Sequence, residues 1–343
     1  MHATALEKDK FITMKSNQLF YCVFFLLYVT SLTAQEICPI QISTYVDSND
    51  VQTDGLRVST HIGFFNGLEI ISDLQNNRFV YRQQGSTEKF IVSQVKVNGH
   101  HSLTWVDGKY YAVNTDEHKV IEFSDFTETG NNTPNYDSID LSRPHDIAYN
   151  PTDGYIYTID DKEGLTRFDP KNDKIAEKSE INKSEVPVLG YARSLSIVNG
   201  KVYIINSSRG EVIKMDDFNN WTVYESPGQK RNNKGEKIDS PAGAWDTTGL
   251  VLNDVEHFGD YWYGSNFFTE PYAGGNDANR YRMIRWRTWE DFQHGNWEEL
   301  SYLLPSGVVP YYFTVHNGAL YIATFNSEHP GTNDKIYKLH PDI

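Results

Sequence analysis

Three histidines, an arginine, an asparagine and a tyrosine stand at matching points of a recurring pattern: His61, His101, His145, Arg193, Asn253 and Tyr311. Their side chains suit proton transfer on an anionic substrate. A guanidinium pairs with a carboxylate or sulfate through two parallel hydrogen bonds. A neutral imidazole can take a proton, and a phenol or a second imidazole can give one to a leaving group. A lone histidine at a repeat position more often bonds the neighbouring repeat. Packing alone, however, does not call for imidazole, guanidinium and phenol in equivalent slots. His100, Arg143 and Tyr191 flank these points and could project into the same opening.

The elements that must position these residues are repeats of roughly 40 to 60 residues. One copy runs His101-Ser-Leu-Thr-Trp-Val-Asp-Gly108-Lys-Tyr-Tyr-Ala-Val-Asn114 and then Lys119-Val-Ile-Glu-Phe123. Others start at His145, Arg193 and Tyr311, with looser copies from His61 and Asn253. Each reads as apolar strand, glycine turn, apolar strand, polar turn, amphipathic strand, with a fourth strand in linking stretches such as Asp137 to Leu141. Sandwiches do not repeat their own sequence at this period, whereas radial blades do. The fold expected is an all-β, six-bladed propeller of antiparallel meanders.

In such a blade the first strand lines the channel and the second runs back beside it. Starts of first strands and ends of second strands therefore share one rim. The ends are Asp73, Asn114, Asp160, Asn206, Ser265 and Asn326. Asn and Asp at strand ends are commonly turn formers. Asn114, Asn206 and Asn253 are nonetheless candidate substrate contacts, together with His61, His100 and Tyr191; His101, His145, Arg193 and Tyr311 are the candidate catalytic set.

A second basic stretch is Arg280-Tyr-Arg-Met-Ile-Arg-Trp-Arg287. Repeat alignment puts Trp286 in the core, with Phe123, Phe168 and Met215, and Arg285 on a solvated face. Arg280 and Arg282, nearer an inserted loop, remain candidate substrate contacts. Long loops at 225–248 and 270–279 could overhang a mouth of the channel. The chain contains no G-x-S-x-G elbow, H-E-x-x-H, phosphate loop or dinucleotide fingerprint.

With 31 basic against 46 acidic residues, the net charge of −15 disfavours nucleic acid as a partner. The run from Phe20 to Val29 follows Lys15 and ends in Ser31-Leu32-Thr33-Ala34, the pattern of a secretory signal cleaved near Ala34. It is too short to cross a bilayer. Met14 suits such a signal better as a start than Met1. The organisation expected is a signal at 1–34, a lead-in at 35–54 and one propeller at 55–343. The product would be secreted or periplasmic and monomeric, without a membrane span. Only Cys38 would remain after cleavage, so no internal disulfide is expected.

Three functions follow from such a rim. A lyase acting on a uronic acid polymer needs a cation to neutralise the carboxylate and stabilise an enolate-like transition state. It also needs a base for the C5 proton and an acid for the leaving oxygen, with no obligatory cofactor. Arg193, His101 or His145, and Tyr311 (or Tyr191) fill these roles. A secretory signal before a propeller with His, Arg and Tyr at the channel mouth resembles the propeller-fold ulvan lyases, over most of residues 55–340. That resemblance implies cleavage between sulfated rhamnose and a uronic acid. Some of those enzymes hold a His/Cys zinc site, for which this chain has no cysteine. The second function is a lactonase or esterase similar to gluconolactonase-like propellers, with calcium at Glu69, Asn206, Asn253 and Asp254; three histidines suit so hard a cation poorly. The third is a non-catalytic carbohydrate-binding propeller.

Overall fold

The computed structural model describes residues 40–127, 141–160, 164–171, 174–178, 189–218, 220–228, 250–266, 282–326 and 334–340. Residues 1–39, read above as a secretory signal and the start of the lead-in with Cys38, together with Arg280, residues 137–140 and most of both long loops, lie outside them. Gln41–Pro341 form one unit, and among the described residues no helix is long and apolar enough to cross a membrane.

Six small antiparallel sheets make a six-bladed propeller. Blade one is β2 (Ser59–Phe65), β3 (Leu68–Asp73), β4 (Arg78–Gln83) and β5 (Ile91–Val92). Blade two is β6 (Leu103–Val106), β7 (Lys109–Asn114) and β8 (Lys119–Phe123), three strands among the described residues. Blade three is β9 (Pro144–Asn150), β10 (Tyr155–Asp160), β11 (Leu165–Asp169) and β12 (Lys174–Lys178). Blade four is β13 (Ser194–Val198), β14 (Lys201–Asn206), β15 (Glu211–Asp217) and β16 (Asn220–Glu225). Blade five is β17 (Leu252–Phe258), β18 (Tyr261–Asn266), β19 (Met283–Trp286) and β20 (Glu298–Glu299), with helix α1 (Trp289–His294) inserted. Blade six is β21 (Val308–His316), β22 (Ala319–Asn326) and β23 (Ile336–His340), and its fourth, outer strand is β1 (Gln41–Val46). The stretch read as a lead-in thus closes the ring, pairing Gln41 with His340 and Val46 with Ile336.

Period-2 alternation explains how one strand serves two neighbours. On β7, Tyr110 and Ala112 pack toward blade one, while Tyr111 and Val113 pack toward blade three. On β14, Val202 and Ile204 face blade three, and Tyr203 and Ile205 face blade five. Both faces of the middle strands are buried, so these strands read as continuous apolar runs rather than as polar and apolar by turns. Asp107-Gly108 and Asn199-Gly200 have left-handed backbone at both residues, the geometry of tight hairpins whose twist matches the strands.

Trp286 is buried, as the repeat alignment expects. Arg285 is not on a solvated face. Only 6 % of it is exposed, its guanidinium lies 4.0 Å over the Tyr261 ring, and it is paired with Glu298 at 2.7 Å. The aromatic face beside it draws the charge inward.

Candidate functional site

The inner strands β2, β6, β9, β13, β17 and β21 contact one another in a closed cycle. Their pairing defines which residues are equivalent. Backbone pairing skips Thr60, His145 and Asn253, each a bulge beside the second strand, and the skip in blade six takes in Tyr311 and Tyr312. His101 and Arg193 stand just before their strands at the same level. The row is therefore Thr60, His101, His145, Arg193, Asn253 and Tyr311.

His61 belongs to the next row down. One residue of slip turns a side chain to the other side, and His61 lines a chamber of about 290 Å3 farther along the channel, with Asp146, Asp254, Glu256 and Tyr312. Burial lowers it to about 4. Thr60 occupies its expected place and donates to the His101 carbonyl at 2.6 Å.

His101, His145, Arg193 and Tyr191 do converge, on a cavity of about 400 Å3. Its lip includes Gln75 and Asp116, from two of the short 3-10 turns that link second and third strands, together with Asn98 and Arg143. The imidazoles of His101 and His145 have centroids 5.0 Å apart.

Hydrogen bonds set both tautomers. His101 Nδ1 lies 2.9 Å from the Gly99 carbonyl, and the nearby Thr115 hydroxyl donates to the Pro144 carbonyl. A carbonyl only accepts, so Nδ1 carries the hydrogen and Nε2 the lone pair. His145 repeats this, with Nδ1 2.7 Å from the Arg143 carbonyl. Its Nε2 accepts from the Tyr191 hydroxyl at 2.9 Å. Burial, then the neighbouring His145 and Arg193, holds His101 well below its ordinary value. Burial, then Arg193, lowers His145 to about 3. Both rings are therefore neutral at neutral pH.

Arg193 donates from Nη1 to the Tyr191 hydroxyl at 3.0 Å and from Nη2 to that of Tyr311. Tyr311 is only 2 % exposed and stands behind the guanidinium rather than on the cavity wall. Burial pushes its phenol up to about 12, against the charge of Arg193.

One step below the row stand three residues, of which the sequence reading missed Tyr312 and Asp146 and considered Asp254 only as a calcium ligand. Tyr312, from blade six, crosses to the opposite side of the ring and donates to the His145 and Arg193 carbonyls, at 3.2 and 2.8 Å. Asp146 accepts from Ser102 of blade two at 2.5 Å and from the Leu195 amide of blade four at 2.9 Å. Asp254 likewise accepts from Ser194 and from the Phe313 amide, at 2.9 and 2.7 Å. Burial pushes each carboxyl up to about 7, against those donors. Their signal was present, since an aspartate directly follows both His145 and Asn253.

The remaining candidates have other surroundings. His100 is fully buried edge-on to Phe79 and does not line the cavity. Asn114 accepts from the Asn98 amide at 2.6 Å, and Asn206 from the Gly190 amide at 2.9 Å, so both clamp the segment leading into their own blade's first strand. Asn253 donates to the Tyr311 carbonyl at 2.9 Å. Arg282 is caged by carbonyls of Ser301, Leu304, Pro305 and Val308. The residues considered for calcium do not converge. Glu69 binds Tyr45 and Arg82, Asn206 binds Glu211, and Asp254 is held between blades. Among the described residues no group of three or more His, Cys, Asp or Glu is placed to hold a metal ion.

No protein-family model matches this chain, and no curated protein does. Solved structures do share its fold. A virginiamycin B lyase from Staphylococcus aureus, described as a catalytically inactive histidine-to-alanine form with quinupristin, aligns with a TM-score of 0.54 and 14% identity, over 88% of this chain and 100% of that one. A streptogramin B lyase aligns at 0.52 and 10% identity, over 90% and 99%. A putative oxidoreductase (glucose dehydrogenase) from Thermus thermophilus aligns at 0.53 and 15% identity, over 88% and 100%. Identities this low establish the six-bladed propeller and leave the chemistry to the site.

Proposed function

We propose that this chain is a lyase that cleaves a uronic-acid-containing anionic polysaccharide, such as ulvan, by β-elimination. One observation carries the reading: two neutral imidazoles, each with its Nδ1 hydrogen tied to a backbone carbonyl, lie beside an arginine and a tyrosine in one cavity.

Arg193 binds the substrate carboxylate and stabilises the charge that builds on it as C5 loses its proton. His101 Nε2, which has no hydrogen-bond partner among the described residues, takes that proton. The C5–H electrons form the C4–C5 double bond, the C4–O bond breaks, and the departing oxygen takes a proton. Tyr191 lines the cavity where Tyr311 does not, so the acid is Tyr191, and Tyr311 orients Arg193 from behind. A histidine held so far down is a weak base. Since the Arg193 charge helps depress both rings, a bound carboxylate offsets that charge and raises them.

Precedent supports lyase chemistry on this scaffold, because the virginiamycin B lyase with similar architecture is described as inactive when a histidine becomes alanine. Export through residues 1–34 suits a polymer too large to enter a cell.

The test is ultraviolet absorbance of the unsaturated uronate product, with purified protein on ulvan, alginate, pectin and glycosaminoglycans. Absorbance should rise on at least one polymer, and His101→Ala should lower the rate roughly 100-fold or more. No rise on any uronate polymer would sink the proposal.

A further inference from the structure

Arg143 stands on the lip of the cavity with an exposed side chain. Its backbone is left-handed, φ 59°, which is uncommon for a residue with a side chain of this size. The conformation is held from both sides. Its amide donates to His118 Nδ1 at 3.2 Å, and its carbonyl takes the His145 Nδ1 hydrogen at 2.7 Å. The residue that sets the tautomer of His145 thus also carries a cation at the cavity entrance.

Among the described residues that cation is uncompensated. Arg78, Arg82, Arg209 and Arg285 each lie against a carboxylate. The Arg143 guanidinium has no ion pair or hydrogen bond among the described residues, in a chain of net charge −15. Asp116 shares the lip, also exposed and without a cation within ion-pair distance among the described residues. A guanidinium and a carboxylate left apart on one rim suit a sugar unit. The anionic substituent would meet the arginine, and ring hydroxyls would donate to the aspartate.

We propose that Arg143 is the anion contact of a second sugar subsite, so that the substrate carries negative groups on adjacent units, one at Arg193 and one at Arg143. The assignment of a polysaccharide rests on the lyase reading; the anion contact itself does not. The anion is a sulfate ester or a second carboxylate, which share the same two-pronged geometry.

The test has two arms, using the full chain, Arg143→Asn and Arg143→Lys; asparagine tolerates left-handed backbone. In the first arm, sodium sulfate replaces sodium chloride at matched ionic strength, and the His145 ring signals are followed by NMR at fixed pH. Sulfate should shift them in the full chain. Arg143→Asn should weaken that binding by about tenfold or more, as expected for a lost charge-assisted contact, and Arg143→Lys should keep part of it. An equal response in Arg143→Asn would place the anion at Arg193 alone and overturn the proposal, as would no response in the full chain.

In the second arm, KM is measured on ulvan, desulfated ulvan and an unsulfated polyuronate. Arg143→Asn should raise KM more than it lowers kcat. A rise confined to ulvan identifies sulfate, and a rise on the polyuronate identifies carboxylate. An unchanged KM on every polymer overturns the subsite. Should no polymer be cleaved at all, the lyase reading fails while the sulfate titration still decides the anion contact.

Discussion

Replacing His100 by leucine should stabilise the protein selectively in mild acid. The imidazole is fully buried against Phe79, with ring centroids 4.4 Å apart, and burial lowers it from 6.5 to about 3. Between those values the unfolded chain binds a proton that the folded chain refuses. The stabilising contribution is therefore complete above pH 6.5 and is lost progressively as pH falls toward 3. Near pH 5 the unfolded state gains about 2 kcal/mol from this one group, and near pH 8 less than ~0.1 kcal/mol. Leucine removes the titration at similar volume. Any packing cost of the exchange is the same at both pH values and cancels from the comparison. His61 and His145 pull in the same direction, while Asp146, Asp254 and Glu256, all raised, pull in the other. The wild-type profile alone is thus uninformative, and the difference between two proteins isolates one ring. Urea unfolding of both, near pH 5 and near pH 8, measures it. If the stability difference is the same at the two pH values, the imidazole is not sealed as described. On a cleaved polymer, His100→Leu should keep its rate within a few-fold, whereas His101→Ala should not.

Two further outcomes follow from the fold. Tyr312→Phe removes the donor to the carbonyls of His145 and Arg193, leaves both buried without that bond, and should cost about 1–3 kcal/mol in unfolding experiments; since it acts by positioning, turnover should lose kcat with little change in KM. Deleting residues 1–46 removes β1 from blade six and opens the ring, so the melting temperature should fall by roughly 10 °C or more, a loss of several kcal/mol.

The blades were legible because their signals are local. Asp-Gly and Asn-Gly turns mark hairpins, and the continuous apolar runs of β7 and β14 mark strands with two buried faces. The closing strand was not. Gln41–Val46 finds its partner nearly 300 positions along the chain, and nothing in its own six residues names Ile336–His340. The site was legible wherever residue type and strand register agreed, as for His101, His145 and Arg193.

Blade one shows what happens when they disagree. Its histidine was matched to the other histidines by kind, yet the bulge puts Thr60 in the shared row and turns His61 into the second chamber. Bulges also decide what blade six contributes. There the pairing skips two residues, so consecutive tyrosines both reach across the channel, Tyr311 to the Arg193 guanidinium and Tyr312 to the backbone beneath it. Regular alternation would send one of the two away from the channel. Adjacent aromatic residues at the start of an inner strand therefore mark a place where backbone irregularity doubles what a blade can present. The chemistry proposed here depends on that irregularity as much as on the repeats, because one tyrosine orients the charged group while its neighbour fixes the strands that carry it.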